Sequence, residues 1–226
     1  MASEVDICNL ALSHLGDTAT IASLDPPEGS AQAEHCARFY PIARDALLEM
    51  HSWGFATQRV QLAQLGSGWP EWDYAYAVPP GTVNVIAVLP PDATDDYSQN
   101  GYASSSLTGF SSGVPESAGG QYVPQPFSCE VDEAGRQVIY TDQPNAVLRY
   151  STIVTDTTRF SPLFVATLSH LLASYLAGPI LKGDVGRAEA AQQLKFAQSY
   201  LSQAKESDSS QRRVRPDHVV SWMAGR

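Results

Sequence analysis

Ser161 followed by Pro162 is a strong helix start, an N-cap residue and then proline at the first helical position, and residues 163–177 after it are apolar on nearly every side. A helix without a polar face has to be enclosed by other elements, so this segment is predicted to be the buried centre of the fold. A membrane span is the rival reading. Ser169, His170 and Ser174 inside the segment, Gly178 and Pro179 near its end, and the lack of a flanking basic cluster argue against it. With 226 residues, 43% of them apolar, the chain can enclose that helix within one domain, or one domain carrying an insertion, without help from a disulfide or a cofactor.

Three further helices are predicted around it. Ser3 and Asp6 form a capping box, Ile7, Leu10, Ala11, His14 and Leu15 repeat at helical spacing, and Gly16 supplies the stop. Ser30 caps a longer helix with Ala33, Cys36, Ala37, Tyr40, Ala43, Leu47 and Met50 along one face, and Pro41 removes a backbone donor and bends it. A last helix begins near Asp184 and carries Ala188, Ala191, Leu194, Ala197, Leu201 and Ala204, a stripe of small residues that lets a partner helix come close.

Between the second and third helices the period changes. Residues 83–89, 137–141 and 146–152 have β character, and Asp132, Glu133, Ala134 and Gly135 make a hairpin turn between residues 127–131 and 137–141, with Gly135 free to take a positive φ. The predicted fold class is α+β: a four-helix bundle from residues 1–55 and 159–206, with a small antiparallel β subdomain, residues 56–158, inserted between helices 2 and 3. Residues 92–120, rich in Ser, Gly, Asp and Asn, read as a long mobile loop, and residues 207–226 as an extended C-terminal tail.

Twenty-four acidic residues against fourteen basic ones give a net charge of −10, which argues against a surface built to neutralise phosphates. The charge is uneven. Residues 60–135 contain no Lys or Arg but nine acids, Glu71, Asp73, Asp92, Asp95, Asp96, Glu116, Glu130, Asp132 and Glu133. The stretch is either a solvated acidic region or a repulsive wall that keeps a polyanion from sticking as it passes. Cys8, Cys36 and Cys129 lie far apart with no CxxC spacing, so neither a disulfide framework nor a zinc cluster is expected, and the start of the chain has no secretion signal.

A search for chemistry finds little. Gly178 and Gly183 have the spacing of a phosphate loop, but Asp184 stands where the lysine is needed. Asp92, Thr94, Asp96, Ser98 and Asn100 alternate as in a calcium loop, yet Tyr97 replaces the turn glycine and Ala103 the bidentate glutamate. His14, His35, His51, His170 and His218 show no metal-ligand spacing and read as packed or surface histidines. No GxSxG elbow occurs, and the paired carboxylates Asp95 and Asp96 fall in the stretch read as a mobile loop. No catalytic residue, metal or cofactor is expected.

Ile7, Cys8, Asn9, Leu10, Ala11 and Leu12, then Leu15 and Gly16, Ile21, Leu24, Ala31, Ala33, Cys36, Tyr40, Arg44, Asp45, Ala46, Leu47 and Leu48, and finally His51, Ser52, Trp53, Gly54, Phe55 and Ala56 form a pattern. It resembles the tail tubular protein A family, the head-to-tail adaptors of short-tailed bacteriophages. The apolar helix from Leu163, the Ala-rich helix from Gly186 and the segment around Ser221 and Trp222 are similar too, so the resemblance covers both helical ends and leaves residues 65–125 unmatched. Asn9, Arg44, Trp53 and Phe55 are its signature in the bundle, and each has a plain physical role as well. Trp53 and Phe55 are large apolar plugs where the chain leaves the helices, and Asn9 and Arg44 are partners for local backbone or carboxylates.

The resemblance implies a structural virion protein and no enzyme. It implies a dodecameric ring, assembled in the host cytoplasm, that joins the phage portal protein to the tail and extends the DNA ejection channel. The C-terminal tail would reach into the portal through Arg212, Arg213, Arg215, Val219, Val220, Trp222 and Met223, and the opposite end would receive a tail nozzle or tail tube protein, with fibres or spikes as further partners. DNA would pass without specific binding, and no membrane or cofactor is involved. Residues 207–226 suit such an arm: four Arg against two Asp give +2 on a chain whose remainder is −12. The entropic cost of ordering it on docking can be shared by many copies. A disordered solubilising end is the plain alternative for this segment. For the whole chain, the alternatives are a tail-completion or connector protein of a long-tailed phage, and a hydrolytic enzyme.

Overall fold

The computed structural model describes residues 2–18, 20–66, 69–91 and 125–211. The first helix, α1 (Glu4–His14), begins as its sequence dictates: the Ser3 amide donates to Asp6 at 2.9 Å and the Asp6 amide donates to the Ser3 hydroxyl at 3.1 Å. It ends where Gly16 takes a φ of +74° and the Asp17 amide reaches back to the Leu12 carbonyl. Ser30 caps α2 (Ala31–Glu49) through the Ala33 amide, and Ser161 caps α3 (Pro162–Leu181) through the Phe164 amide. The last helix is α4 (Gly183–Ser210).

These helices form one unit, built from Met1–Ala56 and Ile153–Arg212. At its centre α3 packs against α1, α2 and α4, and Phe164, Leu168, Leu172 and Leu176 are fully buried. This helix is long and apolar enough to cross a membrane, but its enclosure by the other three is what a core helix without a polar face requires. Cys8 on α1 and Cys36 on α2 are buried free thiols; a hydrogen bond to Cys36, together with burial, holds the Cys8 thiol protonated.

The other unit is Thr57–Thr152. Its strands are β1 (Thr57–Gln61), β2 (Tyr74–Ala77), β3 (Thr82–Leu89), β4 (Phe127–Val131), β5 (Gln137–Thr141) and β6 (Val147–Thr152). They form two antiparallel sheets in the orders β1-β6-β3 and β2-β5-β4. Leu62, Tyr76, Val88, Ile139, Ala146, Leu148 and Tyr150 pack between the sheets. Ala75, Val138 and Tyr140 point the other way from the second sheet and meet Leu65 and Trp72, the period-two alternation of a strand buried on both faces. Gly135 closes the β4–β5 hairpin at φ +78°, with Asp132 accepting from the Arg136 amide and guanidinium.

The structure is thus mixed α+β, and it departs from expectation in four places. One small sheet was expected; there are two, because β6 pairs with both β1 and β3 while β5 pairs with both β2 and β4. The helix α3 runs through Gly178 and Pro179 to Leu181, and the reversal comes at Lys182 and Gly183, both at positive φ. On α4 the buried positions are Gly186, Gln193, Ala197 and Ala204, while Ala188, Ala191 and Leu194 are exposed, as is Met50 at the end of α2. Finally, α4 continues to Ser210, past the expected start of a tail at 207.

Candidate functional site

The helical unit is closed at one end by an aromatic cluster. Trp53 is fully buried, and its indole N–H donates to the Leu47 carbonyl at 2.9 Å, which satisfies its single polar atom. Its ring meets Phe164 edge-on at 5.0 Å and lies beside Phe55, which in turn contacts Phe160 and Phe164. Arg159 donates to the Phe55 carbonyl. Two of the signature residues, Trp53 and Phe55, are therefore brought together, and they join the end of α2 to the start of α3.

The same corner holds the end of α4. The Asp208 carboxylate accepts from the Gly54 amide at 3.1 Å and meets His51 Nε2 at 3.2 Å. A side chain at 54 would crowd it, since a Cβ there would lie 3.3 Å from an Asp208 oxygen. This clasp explains why a sequence as polar as residues 206–211 stays helical: its acid has a built receptor more than 150 residues earlier in the chain. No local signal marks Asp208 for that role. Beyond Gln211, the candidate arm residues Arg212, Arg213, Arg215, Val219, Val220, Trp222 and Met223 lie outside the described residues, as does the 92–120 stretch with its calcium-like alternation.

The remaining signature residues stand apart from this corner. Asn9 grips the backbone of Ile21 with both ends of its amide, donating to the carbonyl at 3.0 Å and accepting from the N–H at 2.8 Å, so it fixes the loop after α1. Arg44 is buried, with its Nε donating to Asp45 at 2.8 Å and its guanidinium 6.0 Å from the Tyr40 ring centre. Both are structural partners, and neither shares a site with Trp53.

Where α1, α3 and α4 meet, two imidazoles that sequence spacing left unrelated are stacked: His14 and His170 lie 4.0 Å apart and nearly parallel. Gln193 accepts from His170 Nδ1 at 2.7 Å and donates to Glu189 at 2.7 Å, and Tyr200 stacks on the outer face of His170. His14 Nε2 is 3.1 Å from the Ser169 hydroxyl, a serine–histidine contact. The Ser169 hydroxyl donates to the Ala166 carbonyl at 2.9 Å, however, so it accepts from the imidazole and its proton is not offered to a base. Burial, and then the neighbouring His170, hold the His14 pKa below the ordinary histidine value.

Gly178, read as part of a phosphate-loop spacing, lies within α3, and among the described residues no group of His, Cys, Asp and Glu is arranged to hold a metal ion. No protein-family model matches the chain, and no curated protein is similar to it in sequence, so the functional reading rests on the residues and geometry described above.

Proposed function

We propose that the chain is a structural component of a tailed-bacteriophage particle, a head-to-tail adaptor that closes a ring between portal and tail and extends the DNA channel. In this reading the four helices are the adaptor's bundle and the strands between α2 and α3 are an inserted β subdomain. The observation that carries the reading is the corner built by Trp53, Phe55 and the Asp208 clasp. It ties the signature segment after α2 to the end of α4, and so gives the Arg-bearing segment that follows Gln211 a fixed root. An arm on a fixed root loses less freedom on docking than one hanging from a frayed helix. Glu71, Asp73, Glu130 and Glu133 belong to the acidic stretch, whose role here is to repel DNA and leave it unbound.

The test is the mass of the full-length protein, alone and mixed with its cognate portal ring, by light scattering and negative-stain microscopy. The expected outcome is a ring on the portal. Deletion of residues 212–226, which keeps the Asp208 clasp, is expected to leave the helices folded and abolish attachment; unchanged attachment of that truncated chain would remove the arm from the proposal, and no association of the full chain would remove the adaptor reading.

A further inference from the structure

Two of the three cysteines meet inside the helical unit. Cys8 on α1 and Cys36 on α2 are both fully buried in its single core, and their side chains share a hydrogen bond. Sequence spacing hides this contact, because residues 9–35 separate the two thiols and the packing of both helices on α3 brings them together. A buried cysteine on its own is a small apolar side chain. Two in contact are also the two halves of a disulfide, which needs sulfurs about 2 Å apart and β-carbons about 4 Å apart, a small advance from thiol–thiol contact.

The hydrogen bond makes the two sulfurs unlike. It holds Cys8 in the thiol form, with burial acting the same way, and it holds the Cys36 thiol below the ordinary cysteine value although burial opposes it. Thiolate is the nucleophile in sulfur chemistry, so Cys36 reacts first and Cys8 stands beside it as the resolving thiol. One turn further along the same face of α2, the Tyr40 hydroxyl is buried and, among the described residues, has no hydrogen-bond partner. Burial keeps that hydroxyl protonated. A water-sized oxidant entering this seam therefore meets an unused donor one helical turn from the reactive sulfur.

We propose that Cys8 and Cys36 form a reversible redox clamp, oxidised by hydrogen peroxide to a disulfide that ties α1 to α2 and released by thiols. The Cys36 thiolate attacks one peroxide oxygen, the O–O bond breaks, hydroxide leaves and Cys36 becomes a sulfenic acid. Cys8 gives its proton to that hydroxide, and its sulfur attacks the Cys36 sulfur and displaces the sulfenic hydroxyl, which leaves as water with the proton first lost by Cys36. Two thiols lose two electrons, and one peroxide is reduced to two waters. An external thiol reverses the step by exchange. The clamp goes beyond the adaptor reading and holds whether or not the chain closes a ring.

Full-length protein carrying Cys129→Ser, which removes the exposed third thiol, is treated with hydrogen peroxide, quenched with catalase, alkylated and digested without reduction for mass spectrometry. The expected product is a monomer with Cys8 joined to Cys36, reversed by dithiothreitol and absent from Cys36→Ser. The unsubstituted chain is expected to yield the same linked peptide. In dithiothreitol buffers of graded oxidation, the native pair should be oxidised about a hundredfold more readily than the pair in the urea-unfolded chain, because packing already holds the sulfurs together. By the closed thermodynamic cycle, the folding equilibrium of the oxidised chain should exceed that of the reduced chain by the same factor. Equal oxidation constants in the native and unfolded chains overturn the proposal, by showing that the fold does not present the thiols to each other. A native chain that stays reduced in peroxide, or that gains sulfinic acid without the link, overturns it as well.

Discussion

The two units of this chain are stabilised on different scales. In the helical unit, twenty-five buried residues drawn from all four helices and their connections form one cluster, whereas among the described residues the strands share their burial between clusters of seven and three. A single large core concentrates the penalty for losing one side chain, because its neighbours are held from several directions and cannot collapse into the space. A thin core between small sheets depends more on individual polar contacts at its margins, such as Tyr76, whose hydroxyl donates to the Gln143 carbonyl at 2.9 Å and accepts from the Ala146 amide. The comparison therefore turns on which kind of substitution hurts each unit.

The largest effect is expected at Trp53. Trp53→Ala removes a fully buried ring from contact with Phe55 and Phe164 and should cost about 3–5 kcal/mol in chemical denaturation. A greater loss from Tyr76→Ala would reverse the comparison. Next is Gly186, at the close crossing of α3 and α4, where an added Cβ would lie 2.7 Å from the Ala177 carbonyl oxygen. Backbone cannot yield there as a flexible side chain would, so Gly186→Ala should cost about 1–3 kcal/mol, although alanine is the better helix former. A neutral or stabilising result would mean that the two helices separate easily and that the helical core is looser than its burial implies.

Tyr76→Phe sharpens the other half. It keeps the ring and removes only the hydroxyl, leaving the Gln143 carbonyl and the Ala146 amide without that partner, and should cost about 1–2 kcal/mol by the same measurement. No change would show that the margin of the sheets does not depend on this contact.

What the sequence made legible divides along the same line. Ser3 with Asp6, Ser30, Ser161 with Pro162, and Gly135 are local signals whose partners lie within four residues, and each appears where it was expected. The register of α4 was legible in its second half, at Ala197, Leu201 and Ala204, but not in its first, where hydrophobicity selected Ala188, Ala191 and Leu194 while Gln193 takes the core position. A glutamine belongs there only because His170 and Glu189 satisfy its amide. Asp208 reads as part of a polar tail until Gly54 and His51 are seen beside it. The pairing of β6 and β5 each with two strands is likewise a long-range choice. Of the candidate site, Trp53 and Phe55 were found by their pattern; the clasp that complements them was not.

The smallest effect expected concerns the stacked histidines of the helical unit. His14 on α1 stacks on His170 of α3, with Ser169 on α3 and with Gln193, Glu189 and Tyr200 on α4 around the pair. The folded state keeps the His14 pKa below its unfolded value of about 6.5. Above that pH the imidazole is neutral in both states and the contribution to stability is fully present. As pH falls below it, the unfolded chain takes up a proton that the folded chain refuses, so stability declines until the folded pKa is passed. Glu189 reaches the pair only through Gln193 and does not restore the charged form. Melting temperature measured from pH 7.5 down to 5 should therefore fall more for the native chain than for His14→Gln, whose side chain stays neutral throughout. Parallel profiles for the two proteins would place the acid sensitivity of the helical unit elsewhere and leave the stacked pair as packing alone.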